Sequence, residues 1–380
     1  MKVGIVVPYS WSFWGGVVDH AEQQLQALRG LGADVRMLIG NDPPGSFTRL
    51  LHPGLGRHEE PPAGVIPVGR SVIVPANGTL PNIVLSPPSV VRMRRVLARE
   101  RFDVVHVHEP MTPALGVAAL ALWDGPTVAT FHANGDLGWM RLGKPIWGFL
   151  AERIDRRIAV SEEARASAAA WLPGEYEIVP NGVIVPSAAP PGGREHRVVF
   201  IGRHEPRKGM QVLLHAWPDI HARTGARLRL VGADPLAVRL VLARTRTSDA
   251  GIDVLGVLTD DELTSELLAA KVLVAPSLRG ESFGMVLTRA FACAVPAIAS
   301  DISGYRDVVT SEAAVLVPPG DSGALADAVV GVLADEEARV RRGAAAYELA
   351  RERYAWEHVA ARLLGIYQDV TGRCRSPRDP

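Results

Sequence analysis

The sequence predicts an α/β fold in two parallel-sheet halves, and three observations carry this expectation. Short β-branched runs alternate with segments of helical periodicity. The chain has 380 residues, 47% of them hydrophobic, more than one core ordinarily holds. A proline- and glycine-rich stretch, PNGVIVPSAAPPGGREH, interrupts the pattern at residues 180–196.

In the first half, strands are expected over 3–7 (VGIVV), 35–39 (VRMLI), 104–108 (VVHVH), 127–132 (TVATFH) and 156–160 (RRIAV). In the second half they are expected over 197–202 (RVVFIG), 227–232 (RLRLVG), 252–256 (IDVLG), 272–276 (VLVAP), 295–300 (VPAIAS) and 314–318 (AVLVP). Val17, Ala21, Leu25 and Leu28 follow a helical spacing, as do Val90, Met93, Val96 and Leu97. Residues 42–67 are rich in proline and read as an irregular excursion, and RSPRDP at the end reads as a disordered tail. A last helix is expected over 355–370.

Composition excludes several function classes. Lysine plus arginine equal aspartate plus glutamate at 41 each, so affinity for anions must be local and no nucleic-acid partner is expected. The two cysteines, Cys293 and Cys374, lack the spacing of a metal or redox pair and fit a reducing compartment. No apolar run approaches 18 residues, and the N-terminus enters a strand pattern directly. A cytoplasmic protein is expected.

In open parallel sheets ligands sit beyond the carboxyl ends of strands, so the residues just after strands are the candidates. After the first strand stand Gly15 and Gly16, opening a helix. They either let backbone amides approach an anion or serve a loop that needs positive φ. His132 follows TVATF and is either a site residue or a strand cap. Arg203, Arg207 and Lys208 follow RVVFIG just before a helix near Gly209, so Arg203 and Lys208 are placed to hold one diphosphate. Glu281, in GESFGMVL, is expected at a strand-to-helix junction, where a carboxylate either serves the site or complements the helix dipole.

Arg92, Arg95 and Arg99 fall on one helical face with Arg94 nearby, opposite the Val90–Leu97 stripe. A basic amphipathic helix of this kind docks on an anionic membrane surface; the other reading is a solvated face on a core-packed helix.

Taken together, the Gly15-Gly16 loop, Phe131-His132, PNGV at 180–183, Arg203 with Lys208, and Glu281 onward resemble the GT-B glycosyltransferases of family 4 over nearly the whole chain. HVHEP (106–110), ATFH (129–132), EPRKGM (205–210) and GESFGMVL (280–287) are similar to the actinobacterial phosphatidylinositol mannosyltransferases within that family. The resemblance implies an acceptor-binding domain over 1–183, a nucleotide-sugar-binding domain over 184–350 facing it across a cleft, and a helix over 351–371 crossing back to the first domain. It implies retaining transfer of a hexose, mannose from GDP-mannose, onto phosphatidylinositol or a polyprenyl-type acceptor at the inner face of the plasma membrane.

Roles carry over by position. Arg203 and Lys208 would hold the diphosphate, with Gly16 allowing close backbone approach. Glu281 would accept from sugar hydroxyls, with Phe283 and Gly284 donating amides and Met285 and Val286 following. Val257 and Leu258 would offer backbone groups to the base, and His132 would contact the sugar and order the acceptor, approaching Glu281 on closure. No D-x-D platform is present, so no metal is required, although Mg2+ is compatible with the class.

Arg289 breaks the pattern. The family's second glutamate grips the nucleotide ribose, and an arginine offers only donors. A loss of about 1 to 3 kcal/mol is expected if nothing compensates. The alternatives are a UDP-sugar enzyme with another acceptor, or a non-catalytic sugar-nucleotide-binding homologue. Glu281→Ala is expected to abolish transfer while leaving the fold intact.

Overall fold

The computed structural model describes residues 1–13, 15–45, 48, 60–74, 82–132, 144–186, 193–203 and 205–372. The chain divides into two compact units, Met1–Gly182 together with the chain from Trp356 onward, and Val183–Ala355. These breaks fall one residue before the first expected domain boundary and five residues after the second. Cys374 and the RSPRDP tail lie outside the described residues.

The first unit holds β1 (Lys2–Ser10), β2 (Asp34–Gly40), β3 (Val65–Gly69), β4 (Val72–Ile73), β5 (Asn82–Ile83), β6 (Val104–His108), β7 (Thr127–Phe131), β8 (Arg156–Ala159) and β9 (Glu177–Ile178). The main path of its sheet runs β3-β2-β1-β6-β7-β8-β9, and the β4–β5 hairpin attaches antiparallel to β1 through Ile83 and Tyr9. Along β1, Val3, Ile5 and Val7 face one core layer and Val6 the other, the two-residue alternation of a sheet covered on both faces. Gly4 has a local reason: a Cβ there would meet the Phe102 ring at 2.9 Å. The face bearing Val3 and Ile5 is covered by the helices Gly16–Gly30 and Trp356–Gly372, so the last helix belongs to this unit. Trp356 donates its indole N–H to Gln23 Oε1 at 2.8 Å. Gly182 leaves room for the Trp356 ring, which a Cβ would strike.

One expectation fails here. The stretch read as an irregular excursion ends in strand β3, parallel to β2 with Pro67 opposite Ile39. At the end of the sheet path the missing proline amide is tolerated, which is why a proline-containing segment still pairs.

The second unit holds β10 (Arg197–Ile201), β11 (Arg227–Val231), β12 (Ile252–Gly256), β13 (Val272–Ala275), β14 (Ala297–Ser300) and β15 (Ala314–Val317). Its six-stranded sheet runs β12-β11-β10-β13-β14-β15 with parallel pairs throughout. This is the 3-2-1-4-5-6 order of a doubly wound nucleotide-binding sheet. The order reverses between β10 and β13, and in the first unit between β1 and β6. The loops after those strands therefore flank the crevices where such folds bind ligands.

The helix Pro87–Glu100 has the expected two faces. Met93, Val96 and Leu97 are buried in the core of the first unit, while Arg92, Arg94, Arg95 and Arg99 are exposed. Most of its apolar stripe packs on protein, and the open face carries the four arginines together with the exposed Val91.

Candidate functional site

In the second unit the site grows from the loops after β10 and β13. Beyond β10 the chain reaches a single 3-10 turn, Pro206–Lys208, then Gly209, then the helix Met210–Thr224. Gly209 takes φ +68, and a Cβ there would run into the Pro276 carbonyl oxygen, so glycine lets the two loops meet. Beyond β13 come Ser277 and Glu281.

The helix that follows is Met285–Ala292 with Gly284 as N-cap at φ +78, so Glu281 stands in the loop of the expected strand-to-helix junction, ahead of the first turn. The Glu281 side chain is only 9% exposed and receives three partners: Lys208 Nζ at 2.7 Å, Arg207 Nη1 at 3.0 Å and Ser277 Oγ at 3.1 Å. Ser277 spends its proton on the carboxylate, so Tyr305, whose hydroxyl is 2.9 Å from Ser277 Oγ, donates to the serine. Burial, reinforced by the Glu281 charge, pushes the Tyr305 phenol well above its ordinary value and keeps it a donor.

Two expectations shift. Arg207, noted beside Lys208 but assigned no role, is the second cation on the acid. Arg203 pairs instead with Glu205 at 2.7 Å and its side chain is 59% exposed. Glu205 also holds Arg207 at 2.8 Å. Arg203 thus stands at the open end of a charge chain that runs through Glu205 and Arg207 to Glu281. Phe283 is buried against Tyr354, with Gly284 beside it and Met285 and Val286 half-buried.

Arg289 donates from Nη1 to Asp260 Oδ1 at 2.9 Å. Asp260 opens the helix Asp260–Ala269, whose N-terminus is fixed by a Thr259–Glu262 capping box. Val257, which is exposed, and Leu258 immediately precede it. The fold therefore brings Arg289, Asp260 and the Val257–Leu258 segment together, and a carboxylate is present beside Arg289 after all.

In the first unit, Gly15 is the N-cap of its helix in extended conformation, φ −172, which removes the positive-φ explanation. A Cβ added at Gly15 would meet nothing within 4 Å, so the space above it is open among the described residues. Gly16 opens the helix and is exposed.

His132 ends β7. Its amide donates to Glu109 Oε1 at 2.7 Å, and its Nε2 lies 2.8 Å from His108 Nδ1. Around it are three histidines that sequence reading left without a role. His108 stacks on both His132 and His106, with centroids 5.0 and 4.6 Å apart, and His20 packs edge-on against His108 and His132. Gln24 can only donate from Nε2 to His106 Nδ1, at 3.0 Å, so the His106 proton sits on Nε2 and points to Thr130 Oγ1 at 2.6 Å. Tyr367 of the last helix closes this network at 2.6 Å from His106 Nδ1. Burial lowers His106 and His132 to about 3 and takes His20 and His108 well below the ordinary imidazole value; for all but His132, neighbouring histidines lower it further. His106 and His108 are two apart on one strand face, and Thr130 and His132 repeat that spacing on the next strand, so the sheet register brings these side chains to one face.

Comparison with known proteins places this geometry. The family described as Glycosyltransferase Family 4 matches residues 14–185, and that described as Glycosyl transferases group 1 matches 195–335. The chain is 36% identical over 386 residues to a phosphatidyl-myo-inositol mannosyltransferase of Mycobacterium leprae, covering 97% of both chains. It is 35% identical to the protein of that name from Mycolicibacterium smegmatis, covering 98% of this chain and 95% of the relative. In fold it is similar to sucrose-phosphate synthase from Thermosynechococcus elongatus, with TM-score 0.74 and 20% identity over 98% and 99% of the two chains. With two Rossmann-like parallel sheets of the GT-B kind and near-full-length identity above 30%, the chain belongs to the family-4, group-1 glycosyltransferases, among the relatives of the phosphatidyl-myo-inositol mannosyltransferases.

Proposed function

We propose that this hexosyltransferase moves mannose from GDP-mannose to the inositol of a phosphatidylinositol-type lipid with retention of anomeric configuration. The observation that carries the donor half of this reading is the buried Glu281 carboxylate held by Lys208 and Arg207 at the switch point of the second sheet. In the structure the acid is the counter-ion that makes two half-buried cations tolerable. A pyrophosphate offers both cations a better partner, and its arrival frees Glu281 to accept from sugar hydroxyls. Arg203, more exposed, meets the outer phosphate oxygens first.

As the sugar–phosphate bond breaks, negative charge grows on the departing oxygen, where preplaced cations contribute most. The acceptor oxygen then bonds to the anomeric carbon on the same face, and its proton passes to the departing phosphate oxygen. Asp260 supplies the carboxylate that position 289 lacks, accepting from ribose hydroxyls alongside Arg289, while backbone groups of Val257 and Leu258 meet the base. In the first unit, Gly15 and Gly16 leave backbone amides open to an anionic group, and His132 orders the acceptor.

The test is mass spectrometry of lipid after incubation with GDP-mannose and phosphatidylinositol. A lipid product heavier by one hexose is expected; donor binding without product would leave a non-catalytic homologue. The Arg289–Asp260 pairing favours one second reading, a donor with another nucleotide. Thermal shifts with GDP, UDP and ADP separate the two, since a ligand at 100 times its Kd adds about 2.7 kcal/mol.

Among the described residues no helix is long and apolar enough to cross a membrane. We infer that the enzyme meets anionic lipid through Arg92, Arg94, Arg95 and Arg99, mainly by charge, since Met93, Val96 and Leu97 of that helix are buried in the core. Each such charge contributes about 1 kcal/mol near an anionic surface. Replacing all four with glutamine is expected to release the protein from phosphatidylinositol vesicles, and raised salt should do the same to the parent. Undiminished binding after substitution would exclude this surface.

A further inference from the structure

The histidine cluster of the first unit holds more ring nitrogens than its hydrogen bonds use. His20 comes from the helix Gly16–Gly30, His108 from the end of β6 and His132 from just past β7. Ring nitrogens of the three lie within 4.8 Å of one another, and all three side chains are buried. Two buried nitrogens of this group, His20 Nδ1 and His108 Nε2, have no hydrogen-bond partner among the described residues. Leaving a buried polar atom unpaired is costly, and the cluster does so twice at one place. Burial also keeps the rings neutral, the form that carries a free lone pair.

Imidazole nitrogens suit zinc, copper and nickel, and three of them with one position left open is a common zinc arrangement. At metal–nitrogen distances of about 2.0 Å, tetrahedral ligands stand about 3.3 Å apart. The nitrogens, now within 4.8 Å of one another, would shift toward that spacing on binding, and an ion would replace the His108–His132 hydrogen bond at 2.8 Å. His132 has support for that position through its Glu109-bound amide.

We propose that His20, His108 and His132 form a binding site for a divalent transition-metal ion of the zinc class. Occupation takes a lone pair of His132, so a bound ion inhibits transfer; that consequence rests on the acceptor role proposed above, whereas the binding does not.

The test uses the full-length protein, freed of metal by chelation and titrated with Co2+ as a spectroscopic probe. Visible bands of four-coordinate Co2+, saturating at one equivalent and displaced by Zn2+, are expected. His108→Gln and, as a second variant, His20→Asn are each expected to weaken Co2+ at least about tenfold, with circular dichroism showing which variant is folded. Replacing the exposed His215 and His358 together is expected to leave the bands unchanged. Absence of the bands, their persistence in a folded His108→Gln or His20→Asn protein, or their loss in the His215/His358 variant overturns the site. Bands accompanied by full transfer activity would uphold the site and remove His132 from the acceptor reading.

Discussion

Glu281→Gln is expected to lower the transfer rate by about 10²–10³ without loss of nucleotide affinity. Glutamine keeps the shape of the side chain and an oxygen for Ser277, but it removes the charge that Lys208 and Arg207 now share at 2.7 and 3.0 Å. Relieved of that competitor, the two cations should hold a nucleoside diphosphate at least as tightly as in the parent. A sugar hydroxyl, by contrast, loses its charged acceptor in the transition state. Calorimetry with GDP beside single-turnover rates reads the two effects separately. Full activity in the variant would remove Glu281 from the donor site, and weakened GDP binding would contradict the exchange of counter-ions. The structure also changes the expectation for alanine. Deleting one partner of a buried ion pair costs about 3–5 kcal/mol, so Glu281→Ala confounds rate with stability.

The second large effect is acid lability of the first unit, measured in chelator. His20, His106, His108 and His132 are all held below the ordinary imidazole value of 6.5 by burial, His106 and His132 to about 3. The folded chain therefore binds fewer protons than the unfolded chain below pH 6.5. Stability from these groups is fully present above 6.5 and falls as pH drops, and for His106 and His132 it stops falling only near 3, where those native rings titrate. At pH 5.5 one such histidine costs about 1.4 kcal/mol, so four cost roughly 6 kcal/mol against a usual total of about 5–15. Urea unfolding at pH 7.5 and 5.5 should show midpoints far apart. Equal midpoints would mean that the cluster is hydrated or charged in the native state.

Much of the fold was readable before any coordinates. β6 and β12 begin and end where the β-branched runs do, and most other strands differ by a residue or two at their ends. The strands that escaped, β4, β5 and β9, are two residues long, too short for a period to register. β3 escaped because Pro67 argues against a strand unless its place in the sheet is known.

Of the donor site, Lys208 and Glu281 were legible because each stands beside a strand end, the position where parallel sheets present ligands. Arg207 was in view but undistinguished, since sequence cannot say which of several neighbouring cations turns toward the acid. The histidine cluster was illegible as a cluster because its members come from residues 20, 106, 108 and 132, brought together by strand register and a helix crossing.

Local order along the chain determined the alternation of strand and helix, the doubly wound class and the kind of chemistry at the strand ends. Those follow from side-chain period and backbone preference, which act over a few residues. Tertiary structure alone decided that Glu281 is shared by Arg207 and Lys208, that Asp260 stands beside Arg289, that four imidazoles pack together, and that the apolar face of the Pro87–Glu100 helix is consumed by the core. Each depends on which distant segments exclude water from one another, and burial of that kind is fixed only when the whole chain has packed.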